Sequence, residues 1–207
     1  MIFDAFLNIF FPPVCPVCSK KIKTNGCLCP ECFSKLHFVV DNSNVQSSAI
    51  VYNEIGKQLI LSFKYGDRLD LTPLLARLMY NSGLTVLDGA DVLTCVPLHW
   101  KRMLIRKYNQ SAVLAKELSG LSGIPSNPFL LKRVKSTPKQ GTRKERFENV
   151  KNAFVLNSGF SVREKTVVLI DDVLTTGSTA QACSNLLRKG GAKEVRLLTF
   201  AKVSNDD

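Results

Sequence analysis

Apolar residues recur along the chain at two spacings, which predict alternating strands and helices from residue 46 onward. Short apolar runs, which are typical of buried strands, stand at 49–52, 91–98, 165–170 and 194–200. Between and after these runs, apolar residues recur every three or four positions, which predicts helices over 54–67, 71–83, 109–123 and 178–191. Because such alternation is typical of parallel strands joined by crossover helices, the pattern predicts an α/β fold.

The third predicted strand ends in two adjacent acids, Asp171 and Asp172. We expect residues 167–170 to form the strand, 171–177 a loop, and Ser178 to begin the next helix. Burying unpaired charges is costly, so two neighbouring carboxylates indicate a polar site rather than core. In open parallel sheets, ligands bind outside the carboxyl ends of the strands, which is where these acids are predicted to lie.

Five small residues after the acids are predicted to bind a phosphate: Thr175, Thr176, Gly177, Ser178 and Thr179. A helix N-terminus presents unpaired N–H groups and the positive end of the helix dipole to an anion. Glycine allows a close approach of the backbone, and the hydroxyl groups add donors. The neighbouring acids suit sugar hydroxyls, or Mg²⁺ held directly or through water. A sugar phosphate satisfies both halves of the motif, whereas a simple N-capped helix explains one hydroxyl but not the acids.

Residues 167–179 resemble the phosphoribosyl-pyrophosphate (PRPP) signature of type I phosphoribosyltransferases. The resemblance implies that Asp171 and Asp172 form the catalytic pair that meets the ribose hydroxyls. It also implies that residues 175–179 hold the 5-phosphate and that Mg²⁺ accompanies PRPP. The implied fold is a type I phosphoribosyltransferase-like parallel sheet flanked by helices, occupying residues 46–207.

A basic segment follows the second predicted strand and opens on the same edge of the sheet. Its candidate residues are His99, Lys101, Arg102 and Arg106. In a phosphoribosyltransferase fold this loop would receive the pyrophosphate, and the cations would supply its countercharge. A solvated basic turn, with His99 packed in the loop, is the alternative.

The cysteines are clustered, with five of the seven between residues 15 and 32. Cys15 and Cys18 form one C-x2-C pair, and Cys29 and Cys32 form another. Two such pairs complete the tetrahedral thiolate shell of a structural zinc ion and leave no open position for catalysis. Cys27 could replace Cys29 as the third ligand. We predict a small zinc-ribbon module within residues 1–45.

The formal net charge of +11 indicates an anionic partner, because ordinary globular proteins carry a smaller excess. Much of it comes from a basic tract at 132–151, which includes Arg143, Lys144 and Arg146. Such a tract could be a solvated face, a loop that closes over pyrophosphate, or a surface for single-stranded DNA on which Phe147 stacks a base.

The apolar N-terminus predicts a short helix rather than a membrane span. The apolar run ends at Pro12 after about ten residues, whereas a span needs about twenty. No basic leader or cleavage-like site accompanies it, so we expect a cytoplasmic protein without a membrane span. The residues expected to pack that helix against the body are Phe3, Phe6, Leu7 and Phe10.

Residues 96–115 and 136–154, together with the cysteine pairs, resemble the competence protein F (ComF) family over nearly the whole chain. That family usually shows R-G-F-N-Q where this chain has 106–110 with Lys107 in place of the glycine, which argues against a glycine-dependent turn. The resemblance implies a role in natural transformation, with single-stranded DNA and a competence ATPase or helicase as partners. It leaves catalysis open, and a nucleobase-salvage phosphoribosyltransferase is the alternative.

Overall fold

The computed structural model describes residues 12–40, 43–135 and 152–203, apart from the side chains of Lys101 and Arg102. Six strands lie within these ranges: β1 (Gln46–Val51), β2 (Val92–Cys95), β3 (Leu131–Arg133), β4 (Phe154–Leu156), β5 (Thr166–Leu174) and β6 (Glu194–Lys202). Four of them form one sheet in the order β1-β6-β5-β2, and every pairing in it is parallel. Strands β3 and β4 form a separate antiparallel pair.

Helices connect these strands, as the apolar spacing predicts. Those in the described ranges are α1 (Pro30–Ser34), α2 (Glu54–Tyr65), α3 (Thr72–Ser82), α4 (Leu84–Leu87), α5 (Trp100–Arg106), α6 (Gln110–Ser122) and α7 (Ser178–Lys189), with a 3-10 turn at Leu69–Leu71. The α/β fold with a parallel sheet is therefore confirmed.

Strand β5 is central and is covered on both faces, which explains its continuous apolar run. On one face, Val168 and Ile170 join a core to which α2, α3 and α6 contribute Phe63, Leu75 and Leu114. On the other face, Val167 and Leu169 pack with residues of α7 and β4, including Cys183, Leu187 and Phe154. Packing on both faces holds β5 in place and thereby fixes the positions of Asp171 and Asp172 toward its carboxyl end.

Strand β5 is longer than the sequence predicts. Residues 171–174 were expected in a loop, but they continue the strand, and the loop is reduced to residues 175–177. The reason is that β6 runs alongside as far as Lys202, which is paired with Leu174 and keeps the backbone extended. The start of the helix at Ser178 is confirmed.

The basic segment after β2 also differs from the expected loop, because Trp100–Arg106 forms the helix α5. The strand itself ends at Cys95, two residues before Pro97. The β3–β4 pair was not predicted, because strands of three residues carry too few positions to show an alternating pattern.

The cysteine-bearing segment is attached to the edge of the main sheet. The Val51 amide donates to the His37 carbonyl at 2.8 Å, and the Val39 amide donates to the Ala49 carbonyl at 3.2 Å. The Asn53 side chain donates to the Lys35 carbonyl at 2.8 Å. The segment therefore joins the sheet through main-chain bonds to β1, while a domain boundary at residue 45 remains a prediction.

None of the helices in the described ranges is both long enough and apolar enough to cross a membrane. The longest of these, α6, has 13 residues and so spans about 20 Å, against about 30 Å for the hydrocarbon layer. The predicted N-terminal helix, with Phe3, Phe6, Leu7 and Phe10, lies outside the described residues.

Candidate functional site

A small polar cleft opens at the carboxyl ends of β2 and β5, with a volume of about 170 Å³. Charged side chains from four elements line it: Lys64 of α2, Arg106 of α5, Arg133 of β3, and Asp171 and Asp172 of β5. Polar side chains at the starts of α6 and α7 also line it: Asn109, which caps α6, and Gln110, Ser111 and Thr179. The structure thus brings the acid pair to one cavity with Arg106 of the predicted basic segment, Arg133 of the predicted basic tract and Thr179 of the predicted phosphate-binding residues.

The tip of α7 presents unpaired amides beside this cleft. Thr175 and Thr176 are exposed, and Gly177 has φ of 72°, a left-handed conformation that favours glycine. Within the described residues, the amides of Thr175, Thr176, Gly177 and Thr179 make no hydrogen bond to the chain. The first intrahelical bond runs from the Gln181 amide to the Gly177 carbonyl at 2.8 Å. The tip therefore has the free donors that an anion-binding helix terminus requires.

Hydroxyl groups at the same tip are already oriented by one another. The Thr176 and Ser178 side-chain oxygens lie 2.9 Å apart, within hydrogen-bonding distance. Thr176 is exposed, whereas Ser178 is buried at the start of α7. One hydroxyl thus faces solvent and the other anchors the loop to the helix.

Asp171 is held by two donors on one carboxylate oxygen. Its Oδ1 accepts hydrogen bonds from the Ser111 hydroxyl and from the Asp172 amide, both at 2.9 Å. Burial and the neighbouring Asp172 charge raise the pKa of Asp171 to about 7, although Lys64 and the two hydrogen bonds oppose that shift. Both donors act on Oδ1, so Oδ2 remains the oxygen that can accept a bond from a ligand.

Asp172 is paired with a cation that the sequence pattern did not reveal. Lys64 Nζ lies 2.8 Å from Asp172 Oδ2, and the two side chains are only 17% and 12% exposed. Lys64 is the last lysine of α2 and extends from the end of that helix into the cleft. The acid pair is thus partly neutralised by the protein itself.

Residues 106–110 connect the end of α2 to the cleft. The Tyr108 hydroxyl donates to the Phe63 carbonyl at 2.7 Å, and the Gln110 side-chain amide donates to the Lys64 carbonyl at 3.4 Å. Asn109 caps α6 by accepting from the Ser111 amide, and it also donates to the Val96 carbonyl at 3.1 Å. The family-like motif at 106–110 therefore links the end of α2, the residue that follows β2 and the start of α6 around the site.

Lys107 adopts the backbone conformation that a glycine would favour, with φ of 64°. The sequence predicted no glycine-dependent turn here because a lysine occupies the position. The structure nevertheless forms a left-handed turn, with the lysine itself at positive φ. The Lys107 ammonium pairs with Asp67, whose φ of 52° is also left-handed. Two strained residues on the surface are thus joined by their own ion pair.

The residues predicted to receive pyrophosphate occupy different environments. Arg106 lines the cleft, where its guanidinium donates to the Tyr65 hydroxyl at 2.9 Å and lies 5.0 Å from the centre of that ring. His99 is buried, and its ring centre lies 5.6 Å from that of Trp100. Lys101 and Arg102 belong to α5, but their side chains lie outside what the structure describes.

A second, larger cavity of about 790 Å³ adjoins the polar cleft and shares its wall at Pro97, Leu98, Asn109 and Arg133. Trp100 and Phe129 line this cavity and are 58% and 64% exposed. Its charged lining residues are all cations: Lys116, Lys132 and Arg133. Of the predicted basic tract, residues 136–151, including Arg143, Lys144, Arg146 and Phe147, lie outside the described residues.

The cysteine pairs form one cluster away from the cleft. The Sγ atoms of Cys15, Cys18, Cys29 and Cys32 all lie within 4.8 Å of one another, and those of Cys18 and Cys29 are 3.5 Å apart. Ligands at the usual Zn–S distance of about 2.3 Å would be separated by about 3.8 Å, so four thiolates in this arrangement fit zinc. Cys27 lies outside the cluster, and Cys29 is the third of the four thiols that could hold the ion.

The cluster's thiols ionise unequally. Burial works against ionisation of Cys15, but hydrogen bonds from the Cys29, Cys18 and Val17 backbone and from the Cys18 side chain lower its pKa to about 6. Burial and the neighbouring thiols of Cys18 and Cys29 raise the pKa of Cys32. Because zinc binds thiolates, it would relieve the mutual repulsion of four sulfurs held this close.

The sequence did not predict four polar residues that line the cleft: Lys64, Asn109, Gln110 and Ser111. The available signal for Lys64 was its position: it follows the buried Phe63 and lies four residues after the buried Ile60, at the border of the apolar face of α2. A lysine at such a border can reach along the surface toward a neighbouring element. Asn109 and Gln110 end the family-like motif at 106–110, and Ser111 follows it in the first turn of α6.

Two domain families match the chain in sequence. The phosphoribosyl transferase domain family matches residues 111–206, which include β5, the tip of α7 and β6. The double zinc ribbon domain family matches residues 6–44, which include the four clustered cysteines. The phosphoribosyltransferase-like fold and the zinc ribbon are thereby confirmed.

Three relatives resemble the chain over most of its length. Competence protein F of Haemophilus influenzae is 34% identical, over 95% of this chain and 93% of that protein. The DNA utilization protein YhgH of Salmonella typhimurium is 29% identical, over 89% and 88%. Competence protein ComFC of Streptococcus pneumoniae is 25% identical, over 91% and 80%. With a phosphoribosyl transferase domain, a double zinc ribbon and this extent of identity, the chain belongs to the competence protein F family.

Proposed function

We propose that the cleft binds PRPP or a related ribose phosphate. The unpaired amides at the tip of α7, which begin three residues after Asp172, are the observation that carries the proposal. In the bound state, residues 175–179 hold the 5-phosphate, and Asp171 and Asp172 accept hydrogen bonds from the ribose hydroxyls. Arg106 supplies countercharge to a pyrophosphate group, and Lys101 and Arg102 are proposed to join it from the same helix.

Magnesium is proposed to arrive with the pyrophosphate of PRPP rather than to reside on the acids. Mg²⁺ needs several oxygen ligands in near-octahedral geometry, which pyrophosphate oxygens and water supply. On the protein side, Asp172 Oδ2 is already paired with Lys64, and Asp171 Oδ1 accepts two hydrogen bonds. The free carboxylate oxygens therefore suit sugar hydroxyls better than a resident metal ion.

The cellular role that we propose is the handling of single-stranded DNA during its uptake or use, together with a competence ATPase or helicase. The names of the relatives support this role, and so do the exposed Trp100 and Phe129 beside Lys132 and Arg133. Aromatic faces stack bases, and neighbouring cations follow the phosphate backbone. These observations favour the role over nucleobase salvage, because the relatives' names concern competence and DNA utilization.

Calorimetry with two ligands on the full-length protein tests both parts of the proposal. Ribose 5-phosphate is expected to bind, whereas ribose without the phosphate is expected to give no heat, because the tip of α7 then has no anion to hold. A single-stranded oligonucleotide is expected to bind with an affinity that falls steeply as salt rises. Equal binding of ribose and ribose 5-phosphate would refute the phosphate site, and salt-independent or absent oligonucleotide binding would refute the DNA role.

A further inference from the structure

Lys64 and Asp172 form a largely buried ion pair on the wall of the polar cleft, and their charged atoms lie 2.8 Å apart. The surface pairs of the same ranges differ from it. Lys57 and Glu54, for example, are 3.8 Å apart with side chains 50% and 82% exposed. Exposed pairs of that kind contribute little, but a partly buried pair is less screened by water and salt. The pairing of Lys64 with Asp172 is therefore a well-defined feature of the cleft.

The backbone that carries Lys64 is fixed from two sides. The carbonyls of Phe63 and Lys64 accept hydrogen bonds from Tyr108 and Gln110, at 2.7 and 3.4 Å. The Phe63 side chain is fully buried and packs against the Tyr108 ring, with ring centres 6.1 Å apart. These contacts hold the lysine at the end of α2 in the position from which it reaches the acid.

Two adjacent carboxylates are unfavourable neighbours for an anionic ligand unless a cation compensates them. A divalent metal ion on the carboxylates is one solution, and an ammonium group is another, because it is a compact charge with three donors. Lys64 uses one donor on Asp172 Oδ2, which leaves two for oxygens of a ligand in the same cavity. Asp172 Oδ1 and Asp171 Oδ2 remain available to ribose hydroxyls.

We propose that Lys64 takes the place of a divalent cation at the acid pair, so that the cleft binds the ribose 5-phosphate portion of its ligand without Mg²⁺. This inference rests on the proposed ribose-phosphate site and specifies how that site is charged. When the ligand enters, Lys64 stays on Asp172 Oδ2, and Oδ1 of the same carboxylate accepts a hydrogen bond from a ribose hydroxyl. Metal is then confined to the pyrophosphate of PRPP.

Calorimetry with ribose 5-phosphate isolates this feature, because that ligand has no pyrophosphate to recruit Mg²⁺. For the wild-type protein, the Kd in EDTA and the Kd in millimolar Mg²⁺ are expected to agree within about twofold. For Lys64→Met, binding in EDTA is expected to weaken by about tenfold or more, since a charged partner is lost. Mg²⁺ is expected to restore most of that loss, because the freed acid pair can then bind the ion.

Two further variants serve as controls. Lys57→Met removes an exposed lysine from the same helix and is expected to leave both Kd values unchanged. Lys64→Arg keeps the charge and is expected to retain metal-independent binding. Thermal unfolding of each variant establishes that it is folded, and the wild-type comparison requires no variant at all.

The possible results separate the inference from the site on which it depends. Wild-type binding that requires Mg²⁺, or a Lys64→Met variant that binds like wild type in EDTA, overturns the role of Lys64 while the site itself stands. If wild type binds neither ribose 5-phosphate nor PRPP with or without Mg²⁺, the proposed site is refuted and the inference falls with it.

Discussion

Replacing Asp171 and Asp172 together by asparagine is expected to weaken PRPP binding by at least about 100-fold, because two charge-assisted hydrogen bonds at about 1.5 to 3 kcal/mol each are lost. The hydrogen bonds at Asp171 explain why asparagine cannot replace the carboxylate as an acceptor for a ribose hydroxyl. In Asp171→Asn, the remaining side-chain oxygen would stay toward Ser111 and the 172 amide, where Asp171 Oδ1 now accepts both bonds. The new side-chain NH₂ would then take the place of Oδ2 and would oppose a hydroxyl that must donate. Calorimetric titration of PRPP with Mg²⁺ measures the change.

Asp88→Asn is the matched control for that experiment. It changes an exposed acid that precedes β2, at the opposite end of the sheet, and is expected to leave the affinity for PRPP unchanged. A double variant that binds PRPP within about threefold of wild type would remove the acids from the site.

At pH values above 7, the single variant Asp171→Asn is expected to have a higher thermal unfolding temperature than wild type. The folded-state pKa of Asp171 is raised to about 7, so this carboxyl costs stability above that pH. The cost disappears as the pH falls toward the ordinary carboxyl pKa of about 4, where the two proteins are expected to unfold at similar temperatures.

The second large effect concerns zinc. Cys29→Ser is expected to abolish stoichiometric zinc binding, because Cys29 is one of the four clustered thiols and serine is not a thiolate ligand. Structural zinc contributes about 10 to 16 kcal/mol in small modules, so residues 12–40 are expected to lose their fold with the metal. Elemental analysis measures the zinc, and limited proteolysis reports the loss of structure.

Cys27→Ser is the matched control for that variant, since Cys27 lies two residues away and outside the cluster. It is expected to retain one zinc ion per chain and the wild-type proteolysis pattern. The reverse outcome, with zinc lost in Cys27→Ser and kept in Cys29→Ser, would contradict the proposed set of four zinc ligands.

Those parts of the site that are contiguous in the chain could be predicted from the sequence. Asp171, Asp172 and the tip of α7 lie within nine residues of one another, and the four cysteines lie in two short pairs, so their spacing alone indicated their chemistry. The regular elements were predicted for a similar reason, because helices and strands impose short periods on the apolar residues.

The remaining parts depend on contacts between distant segments. Ser111 meets Asp171 across 60 residues, and Gln110 reaches the Lys64 carbonyl across 46. No local pattern encodes such distances. The extension of β5 through Leu174 was missed for the same reason, since its cause is the pairing with Lys202 on β6. Contacts between distant segments therefore determine these parts of the structure, and the spacing of apolar residues does not show such contacts.

An NMR titration with PRPP tests the phosphate site most directly, because it follows the backbone amides at the beginning of α7 one by one. The amide resonances of Thr175, Thr176, Gly177 and Thr179 are expected to shift strongly and to saturate together, as bonds form to a phosphate that they lack in the free chain. Amides of the exposed Asp88 and Gly89 turn, at the far end of the sheet, are expected to stay unchanged. Saturable binding that shifts other amides and leaves these four unmoved would contradict a phosphate site at the tip of α7.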